Sequence, residues 1–184
     1  MEHRIELPLT REKSTAIKSG DIVYLSGVIY TARDAAHNRM IDLLDEGKSL
    51  PFTIEDAVIY YVGPTPEAPG QVIGSAGPTT SYRMDAYAPT LLALGLRGMI
   101  GKGKRSQEVI DAMKVAGAVY FGAIGGAAAL LADCIKESEV IAFDDLGTEA
   151  VRRLVVKDFP VTAIIDSYGE NLYLTGREAY LKSL

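Results

Sequence analysis

The chain has 184 residues, a length typical of one domain and sufficient to bury most of its apolar surface. With 19 basic and 24 acidic residues the net charge is −5, so bulk attraction to nucleic acid or to an anionic membrane is not expected. The single cysteine, Cys134, excludes an intrachain disulfide and a metal site built from cysteines of this chain alone. We therefore expect one domain over residues 1–184.

The first part of the chain is predicted to be mainly extended. Its first 13 residues carry charges throughout and lack the apolar core of a signal peptide. A helix is predicted at residues 32–44, with Thr31 as its N-cap. Runs of β-branched and aromatic residues predict strands at residues 4–9, 21–30, 57–62 and, within a loop rich in Pro and Gly, 71–73.

Helices and strands alternate in the second part. Helices are predicted at residues 88–94, 106–116 (capped by Ser106) and 125–136. Strands are predicted at residues 97–101, 118–121, 140–143, 151–156, 162–166 and 172–175. The longest apolar stretch, residues 116–132, is shorter than the ~20 residues of a spanning helix. The pattern predicts a cytoplasmic, three-layer α/β domain with a mixed sheet and no membrane partner.

Two polar segments among small residues are candidates for a binding site. In RDAAHNRM (residues 33–40), a helix would place Arg39 on the same face as Ala36 and Met40, although a solvated helix face is the simpler interpretation. In GSAGPTTSYRMD (residues 74–85), backbone N–H groups and hydroxyls beside Arg83 could bind a carboxylate or a phosphate. A plain cluster of turn residues explains the second segment about as well.

A third segment, GMIGKGKRS (residues 98–106), nearly fits a P-loop. Arg105 stands where the magnesium-binding Ser or Thr of that motif would be, and Ser106 comes one position late. A glycine turn before a helix can still bind an anion, with Lys102 or Lys104 adding charge. A phosphate- or nucleotide-binding module using residues 98–104 is therefore kept as an alternative function.

Together the three segments supply Arg39, Arg83 and Lys102 with loop hydroxyls, which suits a small multivalent anion such as a dicarboxylate or a phosphate ester. The glycines of residues 74–77 and 98–103 would allow the backbone to approach such an anion closely. The glycines at 125 and 126 are explained more simply by tight packing. Cys134 is interpreted as a buried structural cysteine.

The stretches LSGVIYTARDAAHNRM, IYYVGP, GSAGPTTSYRMD and GMIGKG occur in this order. Through these four stretches and their order, nearly the whole chain resembles the β subunit, or C-terminal domain, of the class I fumarate hydratase and L-tartrate dehydratase family. The resemblance implies a swivelling β/β/α domain. It further implies a hydro-lyase that converts fumarate to malate, or L-tartrate to oxaloacetate, and the sequence does not choose between these substrates.

The resemblance also implies a cofactor, a partner and residue roles. A [4Fe-4S] cluster, ligated by an α subunit and not by this chain, would act as Lewis acid on the substrate hydroxyl. The two subunits would form a heterotetramer, with a homodimer of this chain as the alternative when it is alone. Thr79 would be the catalytic base. The substrate carboxylates would be bound by Arg39, Arg83 and Lys102, with Thr80 and Ser81 as neighbours. A non-catalytic scaffold that docks an enzyme is a further alternative.

Overall fold

The structure is a computed structural model that describes residues 1–123 and 128–182, the side chains of residues 177–180 excepted. Its strands are β1 (Glu2–Glu6), β2 (Ile22–Thr31), β3 (Val58–Tyr60), β4 (Gly98–Gly101), β5 (Val119–Gly122), β6 (Ile135–Ala142) and β7 (Val151–Ile165). Its helices are α1 (Arg11–Ala16), α2 (Asp34–Asp45), α3 (Ala88–Ala93), α4 (Gln107–Ala116), α5 (Ala128–Asp133) and α6 (Leu172–Lys182). Short 3-10 helices span Ser81–Met84 and Asp144–Glu149.

The sheet closes on itself. Strands β2, β3, β4 and β5 are parallel neighbours in this order. Strand β7 is antiparallel to β5 on one side and to β2 on the other, which completes a ring of five strands. Strand β1 lies beside β2, and β6 lies beside β7. This barrel-like mixed sheet confirms the predicted α/β class and is compatible with a swivelling β/β/α domain.

Two apolar clusters lie on the two faces of the ring, because successive residues of a strand point to opposite faces. Val58 and Tyr60 of β3 belong to the first cluster, which is made mainly of strand residues. Ile59 belongs to the second, which includes buried residues of α2, α3 and α4, such as Met40 and Leu91. Helices α2, α3 and α4 thus cover one face of the sheet, while Leu131 of α5 packs into the first cluster.

Most predicted elements are confirmed to within a few residues. Ser106 caps α4 as predicted, since its Oγ accepts a hydrogen bond from the Val109 N–H at 3.3 Å. Thr31 is not a cap: it is the last residue of β2, and its Oγ1 accepts from the Arg152 N–H at 3.0 Å. Residues 71–73 form no strand, because the Gln71 N–H closes a turn onto the Ala68 carbonyl.

The C-terminal third differs most from the prediction. The strands predicted at residues 151–156 and 162–166 are parts of the single strand β7. The strand predicted at residues 172–175 is wrong, because α6 begins there, with Asn171 Oδ1 accepting from the Tyr173 N–H at 3.1 Å. Of the helix predicted at residues 125–136, α5 is present and β6 follows from Ile135, while residues 124–127 lie outside the described ranges. None of the helices described is both long and apolar enough to cross a membrane.

Candidate functional site

The candidate residues meet at the edge of the sheet where the parallel strands end. Arg33 follows β2, Tyr61 follows β3, and Lys102 follows β4. The segment of residues 79–85 lies across this edge. Its Thr79 N–H donates to the Tyr61 carbonyl at 2.7 Å, and its Ser81 N–H donates to the Lys102 carbonyl at 2.9 Å. Parallel pairing therefore brings together residues that are up to about seventy positions apart in sequence.

A cluster of ionic and polar side chains, the arginine–aspartate cluster, occupies this edge and consists of Arg33, Asp34, Thr79, Arg83 and Glu149. Arg83 Nη2 donates to Thr79 Oγ1 at 2.5 Å, and Arg83 Nε lies 3.3 Å from Asp34 Oδ1. Arg33 Nη2 lies 3.6 Å from Asp34 Oδ2 and 3.2 Å from Glu149 Oε1. The Arg83 and Asp34 side chains are 39% and 32% exposed, so a ligand in solution can reach them.

Arg33 is a member of this cluster that the sequence interpretation missed. Its guanidinium lies against Gly63, where an added Cβ would stand 2.8 Å from Arg33 Nη1. Gly63, which follows the predicted strand 57–62, thus makes room for this arginine. A signal was present, because Arg33 lies at the start of the predicted helix 32–44, three positions after the predicted strand 21–30, and so close to the end of a strand, as Lys102 is.

Arg39 lies apart from the cluster. It is six positions after Arg33, so it is displaced about 9 Å along α2 and roughly 240° around its axis. Its two Nη atoms donate to the Asp145 carboxylate at 2.7 and 2.5 Å, and its guanidinium carbon is 5.5 Å from the centre of the Phe143 ring. The hydrogen bonds from Arg39 hold the pKa of Asp145 below its usual value. The structure therefore engages Arg39 with the 3-10 helix before β7, not with Arg83.

The remaining predicted site residues differ in their exposure. The Lys102 side chain is exposed, and Thr80, which forms a parallel bridge with Lys102, is half-buried. Ser81 is fully buried, and its Oγ is 2.9 Å from the Tyr120 hydroxyl. In this arrangement Thr79, Thr80 and Lys102 are available to a ligand, whereas the Ser81 side chain supports the segment from below.

The glycines of β4 serve the packing of the protein itself. A Cβ at Gly98 would stand 2.8 Å from Val58 Cγ2, and one at Gly101 would overlap the Ser81 hydroxyl. The interpretation that these two glycines allow an anion to approach the backbone is therefore wrong. Gly125 and Gly126 lie outside the described residues.

The P-loop-like segment does not have the geometry of a P-loop. Its first four residues are strand β4, and only residues 102–105 form the turn before α4. Lys104 is exposed, and Arg105 is buried beneath the turn. A P-loop instead wraps its glycine-rich backbone around the phosphates, so this geometry disfavours the nucleotide-binding alternative.

His37 is buried beneath the cluster and does not belong to its exposed surface. Its Nδ1 is 2.9 Å from the Arg33 carbonyl, and its ring makes an edge contact with that of Tyr61 at 5.5 Å between centres. Burial lowers the pKa of His37 to about 4, so the ring is neutral at pH 7 and donates Nδ1–H to Arg33. His37 thereby supports the first turn of α2 beneath Arg33.

Sequence comparison identifies the family. A sequence profile described as Fumarase C-terminus matches residues 1–176. The chain belongs to this family. It is 44% identical over 151 residues to the anaerobic class I fumarate hydratase of Escherichia coli, and 40% identical over 165 residues to fumarate hydratase 2 of Leishmania major. These alignments cover 81% and 89% of this chain but only 28% and 29% of the two hydratases.

A third relative differs from these in its length. A Methanocaldococcus jannaschii protein, provisionally named as the β subunit of an L(+)-tartrate dehydratase, is 40% identical over 171 residues, which are 90% of this chain and 88% of that protein. The chain therefore spans under a third of these two fumarate hydratases and most of this β-subunit-type relative. The family predicted from the four sequence stretches is confirmed.

Proposed function

We propose that this chain is the β-type part of a hydro-lyase acting on a C4 dicarboxylate, either fumarate and malate or L-tartrate and oxaloacetate. The observation that carries this proposal is the hydrogen bond from Arg83 to Thr79 at a sheet edge that also presents Arg33 and Lys102. Cationic groups around one hydroxyl suit a substrate with two carboxylates and a proton to be removed between them. The names of the hydratase and dehydratase relatives support the same reaction class.

On substrate binding, the carboxylates of the substrate would replace those of Asp34 and Glu149 as partners of the cluster's arginines. Arg33 and Arg83 are now paired with Asp34 and Glu149, at distances of 3.2–3.6 Å, and each guanidinium has further donors. Removal of a proton beside a carboxylate builds negative charge on that carboxylate, and preorganised cations stabilise it. Arg39, which the resemblance also implies, would take part only by releasing Asp145.

Thr79 is the proposed base, and its surroundings address the main difficulty of that role. A threonine hydroxyl holds its proton strongly at neutral pH, so it needs a group that stabilises the oxyanion. Arg83 Nη2 donates to Thr79 Oγ1 at 2.5 Å, and a cation in that position favours the deprotonated hydroxyl. Thr80 and Lys102 would complete the wall of the site beside it.

The iron–sulfur cluster and the α subunit remain part of the proposal. Within the described ranges, no three His, Cys, Asp or Glu side chains come together as a metal site. Cys134 is partly buried, with its Sγ 3.9 Å from the Asp158 carbonyl, and burial raises the pKa of its thiol. The described side chains of this chain, Cys134 included, therefore do not fit as ligands of an iron–sulfur cluster. We assign the cluster to a cytoplasmic α partner, and no step of the mechanism is routed through it.

Reconstitution tests the proposed function. We expect the isolated chain to show no hydration of fumarate and no dehydration of L-tartrate. After anaerobic mixing with an α partner that carries a cluster, one of the two activities should appear and should depend on both proteins. Full activity of the isolated chain, or inactivity of the mixture on both substrates, would contradict the proposal. Calorimetry with Mg·ATP is the control for the nucleotide-binding alternative, for which we expect no binding heat.

The structure also predicts which of two arginines matters more, Arg33 directly before α2 or Arg39 within it. Replacement Arg33→Ala removes a guanidinium from the cluster and should lower kcat/KM of the assembled enzyme by about 10²-fold. Replacement Arg39→Ala removes a guanidinium that is occupied by Asp145, and its effect should be at least tenfold smaller. Steady-state kinetics of the two variants decide the order. A larger loss in Arg39→Ala would favour the assignment made from the resemblance alone.

A further inference from the structure

Arg105 is a buried cation beneath the candidate site that the proposed mechanism does not use. Its side chain is 0% exposed, its Nε donates to Asp85 Oδ1 at 2.6 Å, and its Nη1 is 3.3 Å from Met99 Sδ. Burial disfavours the charged form, but Tyr61 and Asp85 oppose this and keep the pKa of Arg105 above its usual value. A fully buried charge is costly to fold and is retained only where its partners compensate for the lost water.

The partners of Arg105 are the anchors of the segment that carries Thr79 and Arg83. The guanidinium carbon lies 5.4 Å from the centre of the Tyr61 ring and 5.1 Å from that of Tyr120. The Tyr61 carbonyl accepts from the Thr79 N–H at 2.7 Å. The Tyr120 hydroxyl is 2.9 Å from Ser81 Oγ. The cation therefore touches the two residues that hold the start of the segment.

Asp85 anchors the other end of the same segment. One of its carboxylate oxygens accepts from Arg105, and the other accepts from the Ser106 N–H at 2.7 Å. Arg83 lies two positions before Asp85, within the 3-10 helix Ser81–Met84. The ion pair thus ties the end of that helix to the start of α4, and Lys102 lies in the turn between β4 and α4.

We propose that Arg105 is a positioning residue that fixes Thr79 and Arg83 relative to Lys102. The expected effect on turnover rests on the proposed function, whereas the expected effect on the geometry of residues 79–85 does not. A planar guanidinium can lie between two aromatic rings and bond a carboxylate at its edge at the same time. A lysine ammonium is a point charge and cannot keep all three contacts. Arg105, the residue that departs from the P-loop pattern, therefore holds the segment of residues 79–85 in place from inside the protein.

The test compares Arg105→Lys with Arg97→Lys. Arg97 is a matched control, because it is also largely buried and paired with an aspartate, Asp56, but lies before β4, at the far end of the same strand. Hydrogen exchange of the isolated chain reports the positioning without any need for activity. We expect exchange in residues 79–85 to rise at least about tenfold in Arg105→Lys but not in Arg97→Lys, while β2 and β7 exchange as in wild type.

Kinetics of the assembled enzyme give the second readout. A misplaced base lowers turnover more than binding, so kcat should fall by about 10²-fold in Arg105→Lys, with KM within about threefold of wild type. Tyr120→Phe loses only the hydroxyl, which contacts Ser81 Oγ and donates to the Gly103 carbonyl at 2.9 Å. It should show the same pattern more weakly, and it decides the matter if Arg105→Lys does not fold. Unchanged exchange in residues 79–85, or an equal rise throughout β2 and β7, would overturn the proposal. Faster exchange confined to residues 79–85 of Arg105→Lys, in a protein that shows no hydro-lyase activity with any α partner, would support the positioning role of Arg105. It would refute only the proposed function.

Discussion

Thr79→Val is expected to lower kcat of the assembled enzyme by about 10³-fold, while Thr79→Ser keeps turnover within about tenfold of wild type. Valine has nearly the same shape as threonine but lacks the Oγ1 that accepts the hydrogen bond from Arg83. Serine restores that oxygen. The measurement is steady-state dehydration of malate or tartrate, with the substrate deuterated at the carbon that loses its proton. An isotope effect that grows in Thr79→Ser would show that the slowed step is proton removal.

A matched control separates chemistry from folding. Thr90 is an exposed threonine of α3, outside the arginine–aspartate cluster, so Thr90→Val should leave kcat unchanged. Thermal unfolding of Thr79→Val should stay close to that of wild type, because Thr79 is only half-buried. Turnover within a few-fold of wild type in a folded Thr79→Val variant would remove Thr79 as the base.

Arg83→Gln is expected to lower kcat/KM by about 10²- to 10³-fold. Arg83 contacts both Thr79 Oγ1 and Asp34, so its loss removes a substrate cation and the group that favours deprotonation of Thr79. Because the second of these effects acts through Thr79, the losses in Arg83→Gln and Thr79→Val should be less than additive in the double variant. A double-mutant cycle on kcat measures this coupling.

The control for Arg83→Gln is Arg4→Gln, since Arg4 is an exposed arginine of β1 paired with one carboxylate, that of Asp158. We expect its kinetics to match wild type. Strictly additive losses in the cycle would mean that Arg83 binds substrate without acting on Thr79. The base would then need another activating group.

Short-range signals predicted most of the fold. The cap at Ser106 depends on a bond to a residue three positions away, and the pattern of apolar residues around it is local. Where the prediction was wrong, a distant partner, a missed cap or, at residues 71–73, a local turn decided the structure. Thr31 ends a strand because it bonds Arg152, 121 positions away, and Asn171 is a cap before a run that resembles a strand. Pro160 lies between the two predicted strands 151–156 and 162–166, and it pairs with Tyr24 inside the single strand β7.

The candidate site could be predicted in its parts but not in its assembly. Arg83 and Lys102 stand out by their glycine and hydroxyl neighbours, and the structure places their segments side by side. The choice between Arg33 and Arg39 depends on which turn of α2 faces the other strands, and that is set by the sheet and by Asp145. The buried support by Arg105 could not be predicted at all, because burial of a charge depends on residues from several separate elements.

The closure of the ring by β7 has a consequence for how the protein reaches its native state. Strands β2 and β7 pair along most of their length, including Thr31 with Arg152, so the ring closes only after a loop of more than a hundred residues has been ordered. Contacts of such sequence separation slow folding. We expect the early strands and helices to form local structure first and the ring to close last, so that the site edge acquires its final geometry in the rate-limiting step.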